Sequence, residues 1–245
     1  HNVVVRARKL EGAELTEART RSMGLSQRDA DAIAEAVPGA ATVVARVAIE
    51  PYIVLAEGAR TEARLLGVSP RWRAAVPLEL AEGRFVDAWD DRQHAAVCVL
   101  GASVRRDLFG VGEALGRLVR VNDVWLEVVG VLAGASEGGA SFEGVALGST
   151  AREIYAPLST ASRRFERDAQ ASPLEEIVVA LDPSASAASA SVGLDALMER
   201  LHGGVADYEI VVPEALLRQS RRTQRLFNLV MGCIAGISLL VGGIG

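Results

Sequence analysis

The chain has 245 residues, 23% of them charged, and a formal net charge of −5. Without a basic excess, a nucleic-acid partner gains little support. Aromatic residues make up only 4%, and Ala and Val dominate the apolar content, which predicts a core of small aliphatic side chains.

The opening, Asn2 to Arg8, alternates weakly and reads as a strand. Ser26 is placed as an N-cap, with Asp29 completing an approximate capping box. Ala30, Ile33, Ala34 and Val37 then follow at the spacing of one helix face, and Pro38-Gly39 ends the helix. Thr42 to Glu50, Tyr52 to Glu57 and Glu62 to Val68 read as three successive strands, with Pro51 and Gly58 in turns between antiparallel partners. A second block starts near Gly67 and holds an extended stretch at Leu78 to Phe85, a strand at Ala95 to Leu100 and a helix from Ser103 to Phe109. Leu118 to Val121 and Trp125 to Leu132 form an expected hairpin around Asn122-Asp123. The Gly- and Ser-rich stretch from Gly134 to Thr150 reads as a loop. Ile154 to Pro157 is a short strand, and Ser159 is placed as the cap of a helix through Phe165.

The third block returns to strand, helix, strand: Glu176 to Leu181, Ala185 to Leu201 and Tyr208 to Val212. Val192, Leu194, Leu197 and Leu201 are the apolar positions of that helix, and His202-Gly203-Gly204 ends it. From Pro213 the pattern is helical and runs into Leu226 to Gly245, a stretch without a charged side chain. About 20 such residues are what a helix needs to cross a bilayer. With His1 in place of an initiator Met, this predicts a fragment of a longer membrane protein, joined to its span by a stalk helix.

No catalytic constellation emerges. The chain has no GxxxxGK[ST] phosphate loop, no HExxH, no CxxC and no GxSxG. His1, His94 and His202 lie far apart near expected ends or turns and read as solvated. The carboxylate pairs Asp90-Asp91 and Glu175-Glu176 read as solvated turns, because adjacent residues point different ways and no third ligand accompanies them. Cys98, in an apolar strand, and Cys233, in the terminal run, read as separate buried thiols without a disulfide. No catalytic, cofactor or metal residue is therefore assigned.

Arg218, Arg221, Arg222 and Arg225 share one face of the stalk and are candidate juxtamembrane contacts. The positive-inside rule would hold such a cluster in the cytosol, although long domains translocate largely regardless of charge. Gly232 and Gly236 form a small-xxx-small pair and are the candidate helix-packing positions of the span.

Several segments recur in a recognisable order: Gly67-Val68-Ser69-Pro70, Leu80 to Phe85, Val97 to Gly101, Leu108-Phe109-Gly110, Gly116 and Val121-Asn122. Val128 to Leu132, Ile154 to Leu158 and Ile234 to Gly245 complete the series. From about Leu25 onward the chain resembles the extracytoplasmic domain of MacB-type (FtsX-like) ABC transporter permeases, and Gly134 to Thr150 is the stretch that does not fit the pattern. The resemblance implies an α+β fold of two lobes. A split membrane-proximal α/β lobe would comprise residues 1–66 and 174–215, and an inserted, mostly β lobe residues 67–173. A stalk at 214–225 and a truncated transmembrane helix at 226–245 would follow.

It further implies a non-catalytic part of a permease in the bacterial inner membrane, with residues 1 to about 225 outside the cytoplasm. ATP would be hydrolysed on a fused or separate nucleotide-binding domain. A permease dimer, homomeric or heteromeric, and a periplasmic adaptor are the implied partners, with no cofactor in this chain. Lipoprotein release and control of cell-wall hydrolases are alternatives within the superfamily, and a membrane-anchored sensor or binding module is the alternative outside it.

Overall fold

The structure, a computed structural model, describes residues 2–134, 141–142, 145–146 and 150–212. The expected stalk and span, with Arg218, Arg221, Arg222, Arg225, Gly232, Cys233 and Gly236, lie outside the described residues, as does most of the Gly134 to Thr150 stretch. Among the described residues no helix is long and apolar enough to cross a membrane.

The strands are β1 (Asn2–Ala7), β2 (Ala40–Ile49), β3 (Val54–Ala56), β4 (Ala59–Thr61), β5 (Arg64–Val68), β6 (Leu80–Gly83) and β7 (Val97–Leu100). They continue with β8 (Leu118–Val121), β9 (Val124–Leu132), β10 (Ser141–Phe142), β11 (Val145–Ala146), β12 (Glu153–Pro157), β13 (Glu176–Leu181) and β14 (Tyr208–Val211). The helices are α1 (Gly12–Arg19), α2 (Gln27–Ala36), α3 (Trp72–Ala75), α4 (Ala88–Arg92), α5 (Ala102–Phe109), α6 (Leu158–Arg164) and α7 (Ala187–Leu201).

One 12-stranded mixed sheet runs β14-β1-β13-β2-β5-β12-β7-β9-β8-β3-β4, with β6 paired to β9. The pairs β5–β12 and β7–β9 are parallel. Strands and helices thus combine as the expected class requires. Strand alternation divides the core by face. Val44, Leu66, Val99, Tyr155 and Val178 point to one side, where Trp72 and Phe85 cover them. On the other side, Val3, Val5, Ala45, Ile177 and Val179 pack with Ile33 of α2 and Leu194 and Met198 of α7. Toward the other end of the sheet, Val54, Val119, Val121 and Leu126 pack with Val104 and Leu108 of α5.

The α2 start forms as its sequence predicts: the Asp29 carboxylate accepts from both the Ser26 N–H and the Ser26 hydroxyl, each at 2.8 Å. The β8–β9 hairpin also forms, turning through Asn122 at φ +52°. Asn122 does a second job there, since its side-chain oxygen accepts from the Tyr52 N–H at 3.0 Å and the Ile53 N–H at 3.3 Å. This aligns β3 against β8, with Val54 opposite Val121. Asn122→Ala is expected to lower stability by about 1–2 kcal/mol, because two backbone donors lose their acceptor and an Ala must hold a left-handed φ. Urea unfolding of the two forms measures that difference.

Three local expectations need correction, and one helix lies where none is expected. The three strands expected after α2 do not pair in succession. β2 pairs β5, whereas β3 and β4 form their own hairpin at the far edge of the sheet. Ser159 lies inside α6 rather than capping it, and its N–H and hydroxyl instead donate to Asp91. Val192 is exposed on α7, whose buried positions are Ala190, Leu194, Leu197 and Met198. That helix is α1, which follows no apolar periodicity: of its residues only Ala18 is buried.

Candidate functional site

The sheet face that carries Tyr155 ends in a row of charges. Arg6, Glu176 and Arg46 are direct cross-strand neighbours on β1, β13 and β2. The Glu176 carboxylate accepts from Arg6 Nε at 2.7 Å and from Arg46 Nη2 at 3.2 Å. Arg46 also lies over the Trp72 ring, 6.0 Å from its centroid. Farther along, Glu153 of β12 stands beside Arg64 of β5 in parallel register, and Arg64 Nε donates to Glu50 at 2.8 Å. Burial pushes the Glu153 carboxyl above its ordinary range, opposed by the hydrogen bond it accepts from the Tyr155 hydroxyl. The two carboxylates read from the sequence as a solvated pair therefore separate: Glu176 is 1% exposed and serves as the hub of this row. Period-2 alternation along β13 puts Glu176 on the same face as Val178, and the facing arginines make that burial tolerable.

Asp90 corrects the same expectation. It is fully buried at the start of α4, where Arg84 Nη2 donates to it at 2.9 Å and the Asp87 N–H at 3.0 Å. The bond from Arg84 is the leading reason its carboxyl is held below the usual range.

The row opens into a cleft of about 510 Å³ whose walls include Glu50, Tyr52, Arg60, Glu62, Arg152 and Glu153. It lies where the chain leaves β2 for β3 and returns from β4 to β5. Acidic and basic side chains share these walls with Pro51, Ile53 and Ala63, so the cleft is mixed in charge and partly apolar.

His202 is the largest departure from the sequence reading. It is 2% exposed, at the end of α7, with both ring nitrogens facing carboxylates. Nδ1 lies 2.5 Å from Asp207 and Nε2 3.5 Å from Asp29. The Ser22 hydroxyl donates to Asp207 at 2.7 Å and sits 3.0 Å from His202 Nδ1, and Arg19 Nη1 reaches Asp207 at 3.0 Å. Ser, His and Asp are all present, but Ser22 and Asp207 crowd the same ring nitrogen. A hydrolase relay needs them on opposite nitrogens. This is a structural ion cluster. Its only sequence trace is His202 and Asp207 flanking Gly203-Gly204, and nothing local ties them to Ser22 or Asp29 some 170 to 185 residues away.

Other chemistry is not assembled. Among the described residues no group of three His, Cys, Asp or Glu side chains is placed to hold a metal ion. Cys98 is fully buried, and burial pushes its thiol up, away from reactive thiolate chemistry.

The comparisons with known proteins agree with this architecture. Residues 2–197 match the family model described as the MacB-like periplasmic core domain. The pyoverdine export ATP-binding/permease protein PvdT of Pseudomonas aeruginosa is 35% identical over 168 residues, covering 68% of this chain and 24% of that protein. The macrolide export ATP-binding/permease protein MacB of Wolinella succinogenes is 33% identical over 168 residues, with the same two coverages. The chain thus spans about a quarter of the length of these relatives. Among solved structures, the periplasmic region of MacB from Actinobacillus actinomycetemcomitans has a TM-score of 0.70 at 19% identity, over 90% of this chain and 92% of that one. The extracellular domain of the transporter YknZ from Gram-positive bacteria has a TM-score of 0.67 at 18% identity, over 86% and 100%. The fold and the family match together identify the chain as a member of the MacB-like periplasmic core domain family.

Proposed function

We propose that the chain is the extracytoplasmic domain of an ABC transporter permease that works in export and transmits movement rather than catalysing a reaction. One geometric observation carries the proposal. β1 and β14 are antiparallel neighbours, with Val4 opposite Val211 and Ala7 opposite Tyr208. The chain therefore enters through Asn2 and leaves past Val211 at the same end of the sheet. That is the arrangement a domain needs when it is inserted between two membrane spans.

In this reading residues 214–225 form the stalk and 226–245 the start of the second span. Arg218, Arg221, Arg222 and Arg225 face lipid headgroups, and Gly232 and Gly236 pack against another helix. ATP is hydrolysed on a nucleotide-binding domain elsewhere, fused or separate, and this chain takes no cofactor. Permease dimerisation and docking of a periplasmic adaptor complete the machine. Two lobes are drawn as the sequence suggests, residues 1–66 with 174–215 and residues 67–173. The α2–α7 core favours this division, while the α5 core also takes Val47, Ile49 and Leu65 from the first segment and the pairing of β3 with β8 carries the β3–β4 hairpin toward the inserted lobe.

Sidedness is tested by replacing Val111, which is fully exposed, with Cys in the parent protein. Spheroplasts are treated with a membrane-impermeant maleimide, and the wild type reports any background from Cys98 and Cys233. Labelling in intact spheroplasts is the expected result. Labelling that appears only after permeabilisation would put the domain in the cytosol and end the permease reading.

A further inference from the structure

We propose that His202, Asp29 and Asp207 form a charge latch that fastens the approach to β14 onto the α1–α2 corner, and that the latch opens when the imidazole loses one proton.

The number of protons on the ring decides the state of the cluster. A neutral imidazole carries a single N–H and can donate to one carboxylate, whereas the imidazolium donates from both nitrogens. Here both nitrogens face carboxylates within a buried cluster, Nδ1 toward Asp207 and Nε2 toward Asp29. Only the doubly protonated ring presents an N–H to each, in a hydrogen bond to Asp207 and in an ion-pair contact of 3.5 Å with Asp29, where Nε2 has no hydrogen-bond partner among the described residues. The groups that face it are few. α2 contributes Asp29, α1 and the turn after it contribute Arg19 and Ser22, the segment before β14 contributes Asp207, and the Tyr208 ring lies edge-on at 5.2 Å. Arg19 and imidazolium together balance the two carboxylates. Removing the ring proton leaves a buried net negative charge, which the donors that remain, Ser26 on Asp29 and Ser22 and Arg19 on Asp207, do not neutralise in full.

The charge state follows from the same contacts. Burial alone would lower the His202 pKa, but the hydrogen bond to Asp207 and the close Asp29 carboxylate outweigh it and raise the pKa from 6.5 to about 9. Asp29 and Asp207 are both held below the ordinary carboxylate value of 3.8 despite burial, chiefly by the nearby His202 ring. A histidine whose pKa rises on folding contributes stability that is fully present below about 6.5 and lost as pH climbs through about 9. The lowered carboxylates set the acid limit, because their contribution disappears as pH falls through their folded values. The latch is therefore closed across the neutral range and opens on the alkaline side.

What it fastens is specific. His202 ends α7, Asp207 immediately precedes β14, and β14 bonds to one neighbouring strand only, β1, among the described residues. Besides its backbone ladder to β1 and the Arg8 N–H bond to the Asp207 carbonyl, the edge strand is tied to the α1–α2 corner through this cluster. The latch stands on these contacts alone. Under the permease reading it also determines how firmly the strand leading toward the span is held.

The test uses the whole chain in detergent micelles and compares wild type, His202→Gln and Asp29→Asn. Chemical unfolding is followed at pH 6.5 and 9.5, and amide exchange of residues 208–211 is followed at pH 7. The wild-type unfolding constant is expected to rise on the order of 100-fold between the two pH values, since every pH unit that separates the unfolded and folded pKa of the ring is worth about a factor of ten. His202→Gln should lose nearly all of that rise, and Asp29→Asn a part of it, because the bond to Asp207 remains. In Asp29→Asn the side-chain amide oxygen still accepts the Ser26 N–H, which preserves the helix start, so this variant keeps the test valid if His202→Gln folds poorly. Exchange in 208–211 should be faster in both variants by roughly ten-fold, while the central β2–β13 pairs stay protected. Parallel pH profiles in wild type and variants, or unchanged exchange in β14, would overturn the latch. Neither result bears on which side of the membrane the domain occupies.

Discussion

Glu176→Ala is expected to cost the fold about 3–5 kcal/mol, the range for leaving a buried charge without its partner. Glu176 is 1% exposed and, among the described residues, is the only carboxylate within ion-pair distance of both Arg6 and Arg46. The two arginines fare differently after its loss. The Arg6 side chain is 39% exposed and can turn to water, whereas that of Arg46 is 16% exposed and lies over Trp72. Most of the cost is therefore assigned to Arg46. The paired state itself is not strongly stabilising. Glu176 Oε1 and Arg46 Nε are buried without a hydrogen-bond partner among the described residues, so the pair has lost water without fully replacing it. A second expectation follows. The double substitution Arg46→Leu with Glu176→Leu should recover most of the loss and come within about 1 kcal/mol of wild type, since apolar replacement of a buried pair is often neutral or better. Urea midpoints for the two single variants and the double variant decide this. A double variant as unstable as Glu176→Ala would mean that the row is held by something other than its charges.

That row marks the boundary of what the sequence made legible. Local rules worked where the determining residues are neighbours. Ser26 and Asp29 sit three apart and bond to each other, and Asn122-Asp123 turns β8 directly into β9. The segment order that resembles MacB-type permeases was legible for a similar reason, because it is carried by short contiguous motifs. Strand order was not, since β3 finds β8 across more than 60 residues, with Val54 opposite Val121. The buried carboxylates failed for a more general reason. Asp90-Asp91 and Glu175-Glu176 look like solvated pairs because burying a carboxylate is costly, and the cations that offset the cost come from other elements. Arg46 lies 130 residues from Glu176, and Asp207 lies 188 residues from Arg19. The His202 cluster is the extreme case, drawing on α1, α2, α7 and the approach to β14 at once. Ion clusters of this kind are properties of tertiary contact, and a chain read from left to right gives them no local signature.

Two Gly→Ala substitutions should move stability in opposite directions, and the contrast isolates packing from propensity. Gly67 is in β5, where the backbone of α6 approaches the sheet closely. A methyl group there would overlap the Ala161 side chain of α6 and press on Val47 of β2. Both neighbours are fully buried, and Ala161 has no rotamer by which to yield. Either α6 moves off the sheet or the β2–β5 pairing distorts, and overpacking of this kind costs about 1–3 kcal/mol. For a chain of this size a loss near 2 kcal/mol lowers Tm by about 4–8 °C. Gly193 is also a glycine inside a regular element, but it lies on the exposed face of α7 and an added methyl group meets nothing within 4 Å. Helix propensity and the smaller entropy of the unfolded chain then act alone, and Gly193→Ala should gain about 0.5–1 kcal/mol. Thermal unfolding of both variants beside wild type provides the measurement. If Gly67→Ala melts with wild type, α6 is not seated on β5 as closely as its contacts with Gly67 require. In that case the junction of the α5 core with the α2–α7 core, which α6 bridges through Leu158 and Ala161, would have slack that the buried interior of this domain otherwise lacks.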